Sequence, residues 1–420
     1  MNIKINHIAK IEGHTGFMAK VVKGDVKSAK LEVQEGTRLI EGILLKRYYK
    51  DIPIIAQRIC GICPVAHNLA SIQAIEKALK IKVSNETINL RKLLEFGQII
   101  HSHGLHLFFM SLADFLDIEN DLILTKKYPI ETKKIIQIRE FGLELIRIIG
   151  GRAIHPLTNE LGGFKKIPTI SEIQELIKKG KKILPLALDI GKFFRKIKVP
   201  TFSKISEYIC LEKKEEYAVY DGDIISNKGS RVSLEKFENN FHEVQKPREI
   251  IKRVQFDGKN SYMTGAIARV NNQYNKLSPK AKKYLKSLGY ELPDYNPFHN
   301  IAYQMVEIIH FIEESIKMLY ILKDSNLENA LTKKYKIQKG IGVGAIEAPR
   351  GTLYYHININ SKGYVKKIKI ITPTAQFLSH LEDNIATYIP QILNLTDKER
   401  EKKIRALIRA YDPCVSCAVH

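Results

Sequence analysis

The chain has 420 residues, of which 44% are hydrophobic and 27% charged, and its formal net charge is +22. This length can bury a large core in one intricate body or a few lobes, and the composition is that of an ordinary globular protein. No run of eighteen apolar residues argues for a membrane span. The opening Met1-Asn-Ile-Lys-Ile-Asn lacks a basic-then-apolar leader pattern, so a cytoplasmic location is expected.

The positive charge is dispersed in short runs such as Lys178-Lys179-Gly180-Lys181-Lys182 and Arg195-Lys196-Ile197-Lys198. Such runs read as solvated helix faces, not as a nucleic-acid-binding stripe. Docking to an acidic partner subunit is the more consistent use of the charge.

In chain order, residues 3–9, 16–23 and 28–34 alternate apolar and polar around Gly24-Asp25 and predict a small antiparallel sheet. Residues 88–115 place Leu90, Leu93, Leu94, Gly97, Ile100, Leu107 and Phe108 at helical spacing. Further helices are expected at 132–149, 171–196 and 297–323. The second of these starts at Ser171 with Glu172 and Glu175 in its first turns. Several long helices of this kind suggest a central bundle. Residues 351–358 and 364–371 read as strands around the Asn360-Ser-Lys-Gly363 turn, and a last helix at 397–408 leads into the C-terminus.

The expected fold is α+β. Residues 85–338 form a mainly helical bundle between mixed α/β parts at 1–84 and 339–420, and the three parts act as one functional unit.

Four of the five cysteines form two Cys-x-x-Cys pairs near opposite ends, Cys60/Cys63 and Cys414/Cys417. Two thiolates a few residues apart can converge on one metal. On spacing alone the alternatives stay open between a closed four-cysteine zinc site, a redox pair and an open metal site. Isolated Cys210 reads as a small core residue. His103 and His106 share a helix face while His101 points elsewhere, so packing is expected of them and not a second metal site. The stretch Gly340-Ile-Gly342-Val-Gly344-Ala345 satisfies a dinucleotide-loop pattern. Dinucleotide binding is rejected because Tyr335-Lys-Ile-Gln-Lys339 is a poor buried strand and Pro349 blocks the following helix.

The flanks of the cysteines carry more information. Arg58-Ile-Cys60-Gly-Ile-Cys63-Pro-Val-Ala-His67 and Asp412-Pro-Cys414-Val-Ser-Cys417-Ala-Val-His420 resemble the two signature motifs of the large subunit of [NiFe] hydrogenases. Between them, Ile11-Glu12-Gly13-His14, Arg38-Leu-Ile-Glu41, Gly342-Val-Gly-Ala-Ile-Glu-Ala-Pro349-Arg350-Gly351 and Thr372-Pro373-Thr374 are similar to the same family in the same order.

The resemblance implies a nickel–iron centre. Cys60 and Cys414 would be terminal ligands of nickel, and Cys63 and Cys417 would bridge to an iron carrying carbon monoxide and cyanide. It implies that Cys414 takes the proton released from dihydrogen and that Glu12 relays it outward. Arg350 would hang over the open metal position, surrounded and held by Asp114 and Asp412. Thr374 would hydrogen-bond one cyanide, and backbone near Pro349 and Arg350 the other. Many relatives have an asparagine three residues after this threonine, where this chain has Phe377. His67 would donate to a bridging sulfur.

A separate magnesium-type site would use Glu41, the carbonyl of Ile370 and His420. In the family a C-terminal tail is removed after His420 by a maturation endopeptidase, and this chain stops at that residue. No cysteines remain for iron–sulfur clusters, so a cluster-bearing small subunit is required and further electron-transfer subunits are expected. The segments 152–164 and 371–374 look most like the cytosolic multisubunit branch, which couples dihydrogen to NAD(P) or to sulfur reduction. A non-catalytic relative in respiratory complex I shares the fold but lacks the intact cysteine pairs.

Overall fold

The computed structural model describes residues 1–245, 249–258 and 261–419. At the N-terminus, β1 (Asn2–Ile5), β2 (Thr15–Val22) and β3 (Asp25–Val33) form an antiparallel sheet in the order β1-β2-β3. The predicted alternation holds. Ile3, Ile5, Phe17, Ala19, Val21 and Leu31 are buried on one face, as period-two side chains require.

The helical middle is built from α1 (Pro64–Leu79), α2 (Asn85–Leu105), α3 (Pro129–Gly150), α4 (Ile170–Phe194), α5 (Ala266–Gln273) and α6 (Asn300–Lys323). Helix α2 packs on α3 and α6, and α4 packs on α3 and α6. Helix α4 begins at Thr169 and not at Ser171. The Thr169 hydroxyl accepts from Glu172 N–H at 3.2 Å while the Glu172 carboxylate accepts from Thr169 N–H at 2.8 Å. Ser171 has Gln174 in the equivalent place, but the reciprocal bonds form between Thr169 and Glu172.

The helix expected to run unbroken from 88 to 115 is interrupted. After Leu105 the chain widens into a π-turn over His106–Ser111 before a last α-turn at Leu112–Phe115. Wide turns of this kind cluster at functional sites. Here the turn brings His106 to Gln304 Oε1 at 2.6 Å, Ser111 Oγ at 2.9 Å and the Arg409 carbonyl at 2.7 Å. His103 meets Glu307 at 2.7 Å, so both histidines serve packing. Cys210 lies fully buried in a small sheet with Asp223–Ser226 and Arg231–Val232 that sequence periodicity did not reveal.

The C-terminal part is an antiparallel sheet of β4 (Gly340–Ala348), β5 (Gly351–Ile359) and β6 (Val365–Ile371), followed by α7 (Pro373–Tyr388) and α8 (Asp397–Ala410). The glycine-rich stretch is itself strand β4. A Cβ on Gly340, Gly342 or Gly344 would run into the carbonyl oxygens of Ala78, Ala74 and Ala70 on α1. Glycine at period two on the strand and alanine at period four on the helix let the two backbones touch. The phosphate-loop reading fails for this reason as well.

A buried charge cluster ties the bundle to this sheet. Arg269 on α5 pairs with Glu307 on α6 at 2.6 Å and with Glu347 on β4 at 3.0 Å. Nearby on α2, Glu95 is fully buried with neither carboxylate oxygen hydrogen-bonded. Burial pushes Glu95 well above the usual carboxylate range, so the native state holds a proton that the unfolded state loses above about pH 4.5. Stability therefore falls as pH rises through that range, by up to about 1.4 kcal/mol per pH unit from this group. In Glu95→Gln, chemical denaturation should match the parent at pH 4 and show greater stability than the parent at pH 8. Equal pH slopes for the two proteins would contradict a neutral Glu95.

Candidate metal centre

The first pair of thiols is set at a chain reversal. A 3-10 turn at Gln57–Ile59 leads into extended Cys60, and Cys63 caps α1 with Pro64 at its first position, where the missing N–H has no cost. Cys60 Sγ accepts from the N–H groups of Ile62 and Cys63 at 3.3 and 3.2 Å. The second pair follows α8 through Asp412, a non-glycine residue at φ +54°, and Pro413. A short helical turn, α9 (Val415–Ala418), then carries Cys417.

The ends do meet. Cys60 and Cys414, 354 positions apart, have their sulfurs 3.7 Å apart, and those of Cys63 and Cys417 are 3.6 Å apart. Cys414 Sγ is 2.8 Å from Cys417 Sγ. All four sulfurs lie within 4.8 Å of one another and are buried; among the described residues they form the group able to hold a metal.

The donor set asks for cations. Hydrogen bonds from Cys414 and Cys417 pull Cys60 well below the ordinary thiol range, whereas burial pushes Cys414 and Cys417 well above it. Four buried thiols this close cannot all ionise unless positive charge sits among them. Soft thiolate donors suit nickel, iron and zinc. A cavity of about 10 Å³, roughly the space of one water, opens on one side between Cys63, Cys414, Cys417, Pro349, Arg350 and Thr374.

Arg350 forms the roof of that cavity. Its Nε donates to the Asp412 carbonyl at 2.7 Å and its Nη2 to Asp412 Oδ1 at 2.8 Å, while Nη1 has no partner. Burial opposes its charge, yet Asp412 and the thiolates hold it firmly protonated. Of the two acids expected to hold this arginine, only Asp412 does so. Asp114 pairs with Arg409 at 2.6 Å, and Arg409 also donates to the Ala9 carbonyl. The correction has a physical cause. After the π-turn, Asp114 lies on the Leu112–Phe115 turn beside Arg409 of α8, while Arg350 sits in the turn between β4 and β5.

Glu12 joins the cluster through backbone and side chain. It forms a parallel bridge with Cys414, and Val415 N–H donates to its carbonyl at 2.9 Å. Its Oε2 lies 3.0 Å from Cys414 Sγ and accepts from Ser416 N–H at 3.1 Å, and the Ser416 hydroxyl donates to Oε1. Thr374 Oγ1 accepts from Cys414 N–H at 2.9 Å. His67 has Nδ1 at 2.7 Å from Tyr355 Oη and Nε2 at 3.9 Å from Cys417 Sγ. Phe377 is fully buried against the Tyr411 ring. Ser416 and Tyr355 were missed by sequence reasoning. Ser416 could have been noticed as the one hydroxyl between the paired cysteines, whereas Tyr355 gave no signal beyond its place in a strand.

Of the second expected cation site, Glu41 and Ile370 lie side by side among the described residues. Glu41 Oε1 accepts from the Ile370 N–H at 2.7 Å. An ammonium stands on the other side, with Lys252 Nζ 3.5 Å from Glu41 and 3.4 Å from Glu243. Strand β6 turns the Ile370 N–H toward Glu41, and a partly exposed carboxylate satisfies that donor first. His420 lies outside the described residues.

The fold and the cluster define a thiolate metalloenzyme subunit whose centre is assembled from both ends of the chain. Comparison with known proteins gives the family. Residues 38–141 and 251–420 match the nickel-dependent hydrogenase family. The chain is 33% identical to sulfhydrogenase 1 subunit alpha of Pyrococcus furiosus, over 100% of its own length and 97% of the relative. It is 29% identical to sulfhydrogenase 2 subunit alpha of the same organism, over 100% and 99%. Its fold superposes on an NAD+-reducing [NiFe]-hydrogenase in the dihydrogen-reduced state with TM-score 0.91 and 23% identity, covering 100% of this chain and 99% of that one. The chain belongs to the nickel-dependent hydrogenase family, and it is a large subunit. Among the described residues no helix is long and apolar enough to cross a membrane.

Proposed function

We propose that Cys60, Cys63, Cys414 and Cys417 hold a nickel–iron centre, with Cys60 and Cys414 terminal on nickel and Cys63 and Cys417 shared with an iron bearing carbon monoxide and cyanide. When bound, this centre supplies the soft, redox-active metal pair at which dihydrogen is split heterolytically. The observation that carries the reading is the 3.0 Å contact between Cys414 Sγ and Glu12 Oε2. A thiol that gains a proton can hand it directly to a carboxylate at that distance.

The other side chains serve this transfer. Ser416 fixes the Glu12 carboxylate from two directions. Arg350, clamped by Asp412, keeps a charged Nη1 without a protein partner, so it can stabilise negative charge in a dry pocket. Thr374 and the backbone at Pro349 and Arg350 line the cavity where the diatomic ligands of iron would lie. Phe377 offers apolar contact where an amide is more usual. His67, its other nitrogen held by Tyr355, tunes the Cys417 sulfur. Asp114 acts at one remove, steadying Arg409 and α8.

Glu41, Ile370 and His420 would hold a magnesium-type cation, with Lys252 competing for the Glu41 carboxylate. Electrons pass to an iron–sulfur small subunit and from there to further subunits, because only Cys210 remains beyond the four ligands. The sulfhydrogenase names of two relatives support sulfur as an acceptor, with NAD(P) as the alternative acceptor and a cytoplasmic location proposed beside it. A maturation endopeptidase acts if the encoded chain extends past His420.

Metal analysis and infrared spectroscopy of the purified complex test this reading. Nickel in stoichiometric amount, iron in excess of it because the clusters of the partner subunits also contain iron, and absorption bands from bound carbon monoxide and cyanide are expected. Stoichiometric zinc with no such bands would mean a structural four-cysteine site instead.

A further inference from the structure

Arg269 sits where no metal ligand or proton carrier is needed, and its bonding pattern is unusual. It is fully buried, and all five N–H donors of its guanidinium are taken. Nε donates to Glu307 Oε1 at 2.6 Å. One Nη2 donor goes to Glu307 Oε2 at 2.7 Å and the other to the Pro349 carbonyl at 3.1 Å. The two Nη1 donors reach Glu347 Oε2 at 3.0 Å and the Ala348 carbonyl at 2.9 Å.

The two carboxylates balance the charge. The two carbonyls belong to the residues immediately before Arg350. Ala348 is the last residue of β4, paired with Gly351, and Pro349 lies beyond the ladder in the turn to β5.

The same short segment grips the third carbonyl. Thr264 Oγ1 donates to the Arg350 carbonyl at 3.1 Å. Gly265, at φ +89°, approaches so closely that a Cβ there would lie 3.0 Å from that oxygen. Gly351, at φ +134°, has no room for a side chain against Thr264. Residues 264–269 thus hold three successive carbonyls, those of Ala348, Pro349 and Arg350, while Asp412 holds the Arg350 side chain from the opposite direction.

We propose that Arg269 is a positioning residue for the hydrogenase reaction. By fixing the 348–350 backbone it sets where Arg350 Nη1 and the Pro349 backbone stand relative to the thiol cluster. This rests on the roles given above to Arg350 and Pro349. Two carboxylates alone would require no carbonyl contacts, and a lysine could neutralise one of them. A planar five-donor fork is needed to serve two acids and two carbonyls at once.

The test uses Arg269→Lys and Thr264→Val in the complete, metal-loaded complex. Arg269→Lys is expected to keep nickel and iron, to shift or split the cyanide and carbon monoxide infrared bands, and to lower kcat about tenfold with little change in KM. Hydrogen–deuterium exchange over 346–353 should accelerate by about the same factor. Thr264→Val should move each readout in the same direction by less, and it decides the matter if the lysine variant does not assemble.

Parental infrared bands and parental exchange at 346–353 in the assembled variants would overturn the proposal. If the parent complex itself lacks cyanide and carbon monoxide bands, the nickel–iron reading fails. The exchange measurement still judges the clamp.

Discussion

Cys414→Ser is expected to reduce dihydrogen oxidation and evolution to background while the complex still folds. Serine fills nearly the same space, so the buried environment and the backbone contacts to Thr374 and Glu12 are kept. What changes is the donor. A hydroxyl oxygen is hard, remains protonated near neutral pH and binds nickel or iron poorly beside three thiolates. Its proton also cannot be shed to Glu12 at a useful rate, because its acidity is far below that of a thiol. Nickel content per complex should fall below that of the parent, and the infrared bands should weaken or vanish. A Cys414→Ser enzyme that kept both nickel and a substantial turnover rate would show that this sulfur is neither a ligand nor the proton acceptor.

Glu12→Gln separates proton movement from metal binding. Glutamine can still accept from Ser416 N–H, so the loop geometry should persist, but it cannot carry a proton away from Cys414 Sγ. Exchange of dihydrogen with heavy water should slow by about 10²–10⁴-fold, the usual range for loss of a positioned acid–base group. Nickel, iron and the cyanide and carbon monoxide bands should be unchanged. Undiminished exchange in a fully metallated variant would redirect the proton route, to the Arg350–Asp412 pair or to His67 and Tyr355. The contrast between the two substitutions is the informative part. One removes the centre and the other leaves it in place but isolated from solvent protons.

Much of this site was legible because its chemistry is local. The cysteines, His67, Asp412 and Pro413 sit within ten residues of one another in their motifs, and the residue types alone restrict the donor set to soft ligands. Alternation exposed β1, β2 and β3, and the long helices announced themselves by apolar spacing. Local signals failed where two segments compete for one group. Asp114 looked equivalent to Asp412 in the chain, yet the π-turn after His106 pairs it with Arg409. The glycines of β4 matched a dinucleotide-loop pattern only formally, and their close packing on the alanine face of α1 gave no local signal. Thr169 was readable as a cap from Thr169-Ile-Ser-Glu172 but competed with Ser171, and the reciprocal bonds decide for Thr169.

The sequence by itself determined which atoms could bind metal and carry a proton: four thiols, the Glu12 carboxylate and the Arg350 guanidinium. Side-chain chemistry depends on residue type, and the flanking pattern was specific enough to assign the family. Only the tertiary structure decided that sulfurs 354 positions apart stand 3.7 Å from each other. It also decided that Ser416 steadies the proton acceptor, that Lys252 shares Glu41, and that Arg269 holds the backbone beneath Arg350. Those relations join elements far apart in the chain, and the packing of β4 on α1 and of α5 against the β4–β5 turn sets them. No short stretch of residues contains the distances that packing creates.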